Sequence, residues 1–168
     1  MSTGPRNLYD LATTVRDAIV AGYATDGVAA PPITYICGPR EPSAMCDALV
    51  VGWARVFHGT PGPARPPAIV RGTMVARSTE LIVWVFRCLT DVLQGDGMGK
   101  TVFDPVKADA DAAAIMTDAY VVHRGLVRAH AAGELRDYTQ GLSIGDAQPL
   151  AAEGGIAGIE LRLTMELS

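Results

Sequence analysis

The chain has 168 residues, of which 49% are apolar and 19% are charged, and its formal net charge is −4. This composition excludes an intrinsically disordered chain, and the length suits one domain that buries roughly 70% of its unfolded surface. Acidic and basic residues are mixed along the sequence, which excludes a basic segment that binds nucleic acid by counterion release. We therefore expect a single domain over residues 1–168.

Residues 1–6 are predicted to form a flexible arm. They lack the basic start and apolar core of a signal peptide. No apolar run approaches the roughly 20 residues that a membrane-spanning helix needs. The sequence thus predicts a protein without a membrane partner.

Three cysteines, Cys37, Cys46 and Cys88, form an odd set without a Cys-x-x-Cys spacing. Such a set is not typical of a disulfide framework, so we expect small buried thiols in a protein that folds in a reducing cytoplasm. The spacing leaves open whether Cys37 and Cys46 approach each other across a hairpin.

The first predicted element is a helix from Asn7 to about Ala21. Asn7 is a favourable N-cap, and apolar residues recur after it at helical spacing. Gly22 stands where a C-cap glycine is expected. A short strand is predicted over residues 33–37, after two prolines.

Residues 46–57 predict the second strand. Its face with Leu49, Val51 and Trp53 is interrupted by Arg55, while small residues dominate the other face. We expect a helix to pack closely on the small-residue face. Residues 58–73 are too rich in proline for a regular element and predict a long loop.

Residues 77–89 hold the most apolar strand, and the run 81–86 does not alternate. We expect this strand at the centre of the sheet, buried on both faces. Residues 94–103 are rich in glycine and predict a second long loop. A long helix then runs from Asp104, an N-cap followed by proline, to Gly133.

The last part of the chain predicts two strands. Residues 138–144 indicate a short strand, and residues 145–149 indicate a turn. From residue 159 to residue 167 apolar and polar residues alternate, which predicts a half-buried strand whose apolar face contacts the long helix. The order of elements indicates an α+β fold: a largely antiparallel mixed sheet with an N-terminal helix and one long helix packed on one face.

Residues 95–101 read Gly-Asp-Gly-Met-Gly-Lys-Thr and resemble a phosphate-binding loop. That motif needs four residues between its first glycine and the Gly-Lys-Thr, whereas Gly95 leaves only three. The predicted helix also begins at Asp104, later than phosphate binding by its N-terminus requires. We expect a connecting loop here.

Two further patterns in the sequence bear on catalysis and on metal binding. Ser143 has the letters of Gly-x-Ser-x-Gly, but a strand-to-helix turn is not predicted there and no histidine lies downstream. His123 and His130 are seven residues apart, too far for a compact metal-binding pair on a helix. We expect no catalytic residue, no metal and no cofactor, and keep a small cytoplasmic hydrolase using Ser143 as an alternative.

Segments spread over most of the chain form a recognisable pattern. They are the Cys-Asp segment 46–51, the Gly-Thr-Pro-Gly loop 59–62, Val-Phe-Arg-Cys at 85–88, Thr-Asp-Ala at 117–119, Arg-Gly-Leu-Val at 124–127 and the glycine-rich entry 154–158 into the last strand. This pattern resembles the tail terminator proteins of long-tailed phages that infect actinobacteria.

The resemblance implies a structural virion protein without an active site. It implies a ring, six-membered, that caps the tail tube, ends tube polymerisation and offers a docking face to the head-side connector. The implied partners are further copies of the chain, the major tail tube protein and the connector protein, with DNA only passing through the lumen. Assembly in the host cytoplasm and residence in the tail or neck of the virion follow, and another neck component such as the head-to-tail stopper is the alternative.

Ring assembly needs surfaces that meet different surfaces on a neighbour. We expect them on the two long loops and on the polar face of the last strand. The candidate contact residues are Thr60, Arg65, Arg71, Lys100, Glu160, Arg162 and Glu166.

Overall fold

The computed structural model describes residues 7–38, 42, 45–58, 77–90, 93–95, 101–153 and 155–167. Within them the chain has the predicted α+β architecture, with two helices and a five-stranded mixed sheet. The arm 1–6 and nearly all of the proline-rich loop 58–73 lie outside the described residues. The elements are α1 (Leu8–Asp26), β1 (Ile33–Cys37), β2 (Ala48–His58), β3 (Arg77–Cys88), β4 (Leu93–Gly95), β5 (Thr101–Phe103), α2 (Pro105–Ala132), β6 (Thr139–Glu153) and β7 (Ile156–Leu167).

The main sheet has the strand order β1-β2-β3-β7-β6. β1 runs parallel to β2, and every other neighbouring pair in this sheet is antiparallel. β3 is the middle strand, and its residues 78–86 are buried without alternation. The prediction of a central strand buried on both faces is confirmed.

α1 ends five residues later than the sequence suggested. It continues through Gly22 to Asp26, and Gly27 forms the C-cap with a φ of 68°. Gly22 is instead buried at the crossing with α2, where an added Cβ would lie 2.9 Å from the Cα of Gly125. The prediction of Gly22 as the C-cap is wrong because this glycine is needed for close helix packing.

Both predicted ends of α2 are confirmed. The side chain of Asp104 accepts hydrogen bonds from the backbone N–H groups of Val106 at 3.1 Å and Lys107 at 3.3 Å. Pro105 occupies the first turn, and Gly133 closes the helix in the left-handed conformation with a φ of 80°.

The main core lies between the helices and one face of the sheet. Its buried residues include Leu11, Val15 and Ile19 of α1, Val122 and Leu126 of α2, and Ile159, Leu161, Leu163 and Met165 of β7. The apolar face predicted for the last strand therefore contacts the helices, as expected.

The helices do not cover the small-residue face of β2. Leu49 and Val51 point into the core with the helices, whereas Ala48 and Val50 pack with Trp84 on the opposite face. The predicted packing of a helix on the small side is wrong, because the small residues leave room for the indole of Trp84 and not for a helix.

The predicted turn at residues 145–149 is also wrong. β6 is one strand of 15 residues that pairs with β7 from end to end. Its register shifts between Ile144 and Ala147, so two residues with turn chemistry are absorbed in a bulge. The long alternating β7 provides the continuous partner that keeps this segment extended.

The predicted loop 94–103 begins and ends as strand. Leu93 pairs with Phe103, and Gly95 pairs with Thr101, in a two-stranded antiparallel sheet. Residues 96–100 lie outside the described residues.

Cys46 and Cys88 form a disulfide, with their Cα atoms 4.8 Å apart. The expectation of three unpaired thiols is wrong for these two residues, and Cys37 is not part of a disulfide. The paired residues of β2 and β3 end at Ala48 and Phe86, and Cys46 and Cys88 lie two residues beyond them on the same antiparallel register. Since they are 42 positions apart along the chain, spacing alone did not reveal the pair.

Candidate interaction surface

The face of the sheet opposite the helices carries a charged network across three neighbouring strands. The alternation of β7 directs Glu160 and Arg162 to this face, away from the core residues Leu161 and Leu163. On β3, Glu80 shares the face because it pairs with Thr164. On β2, Arg55 pairs with Glu80.

These four side chains form a row of alternating charge, which we call the charge ladder. Arg55 Nε lies 2.6 Å from Glu80 Oε2, and Arg162 Nη1 lies 3.2 Å from Glu80 Oε1. Arg162 Nε donates to Glu160 Oε1 at 2.8 Å. The indole N–H of Trp84 donates to the other oxygen of Glu160 at 3.1 Å. Both carboxylates are therefore held by two donors each.

The ladder has buried acids and exposed bases. The side chains of Glu80 and Glu160 are 9% and 16% exposed, against 56% for Arg55 and 57% for Arg162. Hydrogen bonding to Glu160, and its negative charge together with that of Glu80, raises the pKa of Arg162. The carboxylates thus orient the arginines, and the two positive and two negative charges cancel.

A balanced, ordered row of charges is suited to contact with another protein. Phosphate binding depends on uncompensated positive charge, which the ladder does not provide. The carboxylates hold the two arginine side chains in place, and each arginine presents a planar, partly desolvated guanidinium group. Arginine is enriched at protein interfaces.

The structure brings together only some of the residues proposed from sequence. Glu160 and Arg162 belong to the ladder, whereas Glu166 lies beyond it, across from Gly141 of β6. Thr60, Arg65, Arg71 and Lys100 lie outside the described residues.

Sequence reasoning missed Arg55 and Glu80 as members of this surface. A register shift between Trp53 and Arg55 moves Arg55 to the face of Glu80, so the residue that interrupts the apolar pattern does not enter the core. The available signals were this interruption and a lone charge at the start of the apolar run of β3.

A second cluster of charge lies where α2 crosses the sheet. Arg87 Nε donates to Asp118 Oδ2 at 2.8 Å, and Arg87 Nη2 donates to Asp118 Oδ1 at 2.7 Å. The hydroxyl of Tyr23 donates to Asp118 Oδ1 at 2.8 Å. Burial, reinforced by the negative charge of Asp118, raises the pKa of Tyr23, so the phenol stays protonated as a donor. This cluster ties α1, α2 and β3 together.

The same cluster reaches the disulfide. Arg87 Nη1 lies 3.7 Å from Asp47 Oδ1. Cys46 immediately precedes Asp47 in the sequence, and Cys88 immediately follows Arg87, so the ion pair lies beside the disulfide. Asp47 adopts the left-handed conformation with a φ of 51°. Segments 46–51, 85–88 and 117–119, which are far apart in sequence, therefore meet at one place in the fold.

The segments weighed for catalysis do not have the geometry that their motifs need. Ser143 is exposed within β6, opposite Thr164, and not on a strand-to-helix turn. Thr101 lies in β5, before α2 begins at Pro105. Over the described parts of the chain, His, Cys, Asp and Glu side chains form no group of three or more arranged to hold a metal ion.

A shallow groove of about 140 Å³ lies between α1 and α2. Its lining includes Gly22, Gly125 and Arg128, and Asp26 accepts a hydrogen bond from Arg128 at 2.8 Å. Most of its lining residues are alanine or glycine, which leave space between the helices.

Neither α1 nor α2 is long and apolar enough to span a membrane. No known family model matches the chain. A comparison with curated proteins finds no significant match.

Proposed function

We propose that the protein is a tail terminator, a structural virion protein that forms a ring on the tail tube. The ring ends tube polymerisation and joins the tail to the head-side connector. The observation that carries the proposal is the meeting, in one cluster, of three segments that resemble tail terminators. These are segments 46–51, 85–88 and 117–119.

The cluster gives the resemblance a physical basis. Asp118 is fully buried in the middle of α2, and Arg87 is the central-strand residue that neutralises it. A buried carboxylate is costly without such a partner, so the two residues fix where the long helix lies on the sheet. The segments that resemble tail terminators therefore include both residues of the pair that positions α2 on the sheet.

The charge ladder is the second support. Closed rings need one surface of each subunit to meet a different surface of its neighbour. The ladder offers an ordered, electrically balanced face, with Arg55 and Arg162 outermost. If this face lines the lumen instead, its zero net charge lets DNA pass without being held.

The disulfide fits a protein of the virion. Disulfides are rare in the reducing cytoplasm and persist on released particles. Under the proposal, Cys46 and Cys88 are thiols during assembly, and after release dissolved oxygen takes up the two electrons and two protons that disulfide formation removes. No enzymatic activity, metal or cofactor is part of the proposal.

The test is an assembly assay with the major tail tube protein of the same phage. Electron microscopy of the purified chain with self-assembling tube protein is expected to show rings at tube ends and a narrowed distribution of tube length. Arg162→Glu reverses one charge of the ladder and is expected to weaken ring formation. Arg136→Glu, a reversal at an exposed residue outside the ladder, is the matched control.

The assay also separates the proposal from its alternative. Tubes of unchanged length, with no rings at any protein concentration, would overturn the assignment as a terminator. Binding to the connector alone, with no effect on the tube, would instead favour a head-to-tail stopper.

A further inference from the structure

The solvent face of α2 carries large apolar side chains. Met116 is 72% exposed, Tyr120 is 59% exposed and Val127 is 47% exposed. Val106, near the start of the helix, is exposed as well. The solvent-facing side of a helix that packs on one side only is ordinarily polar, and this side of α2 is apolar instead.

These residues form one stripe along the helix. Met116, Tyr120 and Val127 follow one another at intervals of four and seven residues, which places them on the same side. The stripe is opposite the buried residues Val122, Gly125 and Ala129, which contact the rest of the fold. Ala112 and Ala113 extend the stripe toward the N-terminus, and both are exposed.

We propose that this stripe binds the same stripe of a second copy of the chain, with the two α2 helices antiparallel about a two-fold axis at Met116. In such an isologous contact, each residue meets its counterpart in reverse order. Positions equally distant from residue 116 on either side then face each other across the axis.

The sizes of the side chains fit this register. Met116 meets Met116 of the second copy at the axis, and its flexible thioether tolerates self-contact. Tyr120 lies over the small residues Ala112 and Ala113, so a large side chain meets two small ones. Val127 lies within one residue of the level of Val106, which brings two exposed apolar residues close together.

The charges fit it too. Asp109 is the acidic residue of the stripe, and the register brings it to the level of His123, with Arg124 beside it. Arg124 is already ordered over Tyr120, with its guanidinium carbon 5.0 Å from the ring centroid and Nη1 3.1 Å from the hydroxyl. His123 of one copy therefore meets Asp109 of the other twice, once on each side of the axis, while Arg124 Nη1 also lies 3.7 Å from Asp26 Oδ1 of its own chain.

The inference does not depend on the proposed ring. From Val106 to Val127 the stripe is about 32 Å long, at about 1.5 Å per residue. A two-fold contact of this length has the two copies facing in opposite directions, unlike neighbours around a ring. It describes an association of the free protein in solution, which can hold or fail whether or not the chain caps a tail tube.

Sedimentation velocity of the purified chain tests the association. A reversible dimer is expected, and Met116→Asp, which brings two carboxylates together at the axis, is expected to raise its dissociation constant by about 30-fold or more. Ala110→Asp adds the same charge at an exposed position outside the stripe and is expected to change the constant by about threefold at most. Thermal unfolding followed by circular dichroism checks that both variants fold.

Cross-linking tests the register. Under mild oxidation, Met116→Cys is expected to give a covalent dimer well above the wild-type background that Cys37 sets. Ala110→Cys is the control, because the register separates the two copies of residue 110 by about 18 Å along the helix, too far for a disulfide.

A charge exchange tests the orientation. His123→Asp places a second acid beside Asp109 and is expected to weaken the dimer, and the Asp109→Arg, His123→Asp double variant is expected to restore it. A monomer at all concentrations would overturn the proposal. A dimer that is indifferent to Met116→Asp, or one that does not cross-link through residue 116, would overturn it equally.

Discussion

The guanidinium of Arg87 donates two parallel hydrogen bonds, of 2.8 and 2.7 Å, to the carboxylate of Asp118. One residue belongs to the central strand and the other to the middle of the long helix, and the side chain of Asp118 is 2% exposed. Bidentate pairs of this kind have a fixed geometry. This contact therefore sets the position of α2 along its own axis and its rotation about that axis, relative to the sheet.

Removing either partner of this pair is expected to destabilise the fold strongly. Arg87→Met or Asp118→Leu leaves an uncompensated buried charge, which costs about 3–5 kcal/mol of unfolding free energy. The double variant is expected to lose less than the sum of the single losses, because both charges are removed together. Urea denaturation measures all three.

The exposed pair of Arg16 and Asp17 provides the matched control. Asp17→Asn breaks an ion pair of the same length in solvent and is expected to cost less than about 1 kcal/mol. A loss below 1 kcal/mol for both Arg87→Met and Asp118→Leu would contradict the role assigned to the buried pair.

Local signals in the sequence were sufficient for most elements of the fold. Asp104, Pro105 and Gly133 act within a few residues of themselves, and the period of two from residue 159 to residue 167 is strictly local. The central position of β3 followed from its continuous apolar run. In each of these cases, the residues that specify the element lie within one short stretch of the chain.

The candidate sites depend on pairs that are distant in sequence. Cys46 meets Cys88 only through the register of β2 on β3, and Arg55 reaches Glu80 only through a bulge. The interruption of an apolar face by Arg55 was visible in the sequence, but the bulge that resolves it was not. Gly22 shows the same limit, since a C-cap and a helix crossing both favour glycine.

The stability of the protein is expected to depend on Tyr23 at alkaline pH. Burial, then the charge of Asp118, raises the pKa of Tyr23 above its ordinary value of 10.0. The neutral phenol stabilises the folded state in full below pH 10, and this contribution is lost as pH rises toward the folded-state pKa. Because only the unfolded chain releases the proton in this range, the loss is about 1.4 kcal/mol per pH unit.

Urea denaturation of wild type and Tyr23→Phe between pH 8 and pH 11 measures this effect. The stability advantage of the wild type is expected to be constant up to about pH 9 and to shrink above pH 10. Tyr9→Phe, at an exposed tyrosine, controls for removal of a phenol. A stability gap between wild type and Tyr23→Phe that does not change with pH would contradict the account of a buried donor.

The disulfide predicts a specific thiol count. After mild oxidation, the denatured chain is expected to show one reactive thiol, that of Cys37, and three after reduction. Since the bond closes a loop with a sequence separation of 42, its loss through Cys88→Ala is expected to cost up to about 4 kcal/mol under oxidising conditions. Cys37→Ser is the matched control, and three thiols in the oxidised protein would refute the pairing.

The crossing of the two helices predicts unequal effects for its two glycines. A Cβ at Gly22 would lie 2.9 Å from the Cα of Gly125, whereas a Cβ at Gly125 would come no closer than 3.2 Å to the carbonyl oxygen of Ala18. Alanine in a helix interior gains about 1 kcal/mol over glycine, and overpacking costs about 1–3 kcal/mol. Gly22→Ala is therefore expected to lower the unfolding free energy, and Gly125→Ala is expected to be close to neutral.

Thermal and urea denaturation of the two variants check this order. Gly38→Ala is the control, because an added Cβ at that exposed residue meets no atom within 4 Å. If Gly22→Ala raised the stability, the helices would have room to separate, and Gly22 would act as an ordinary helix glycine.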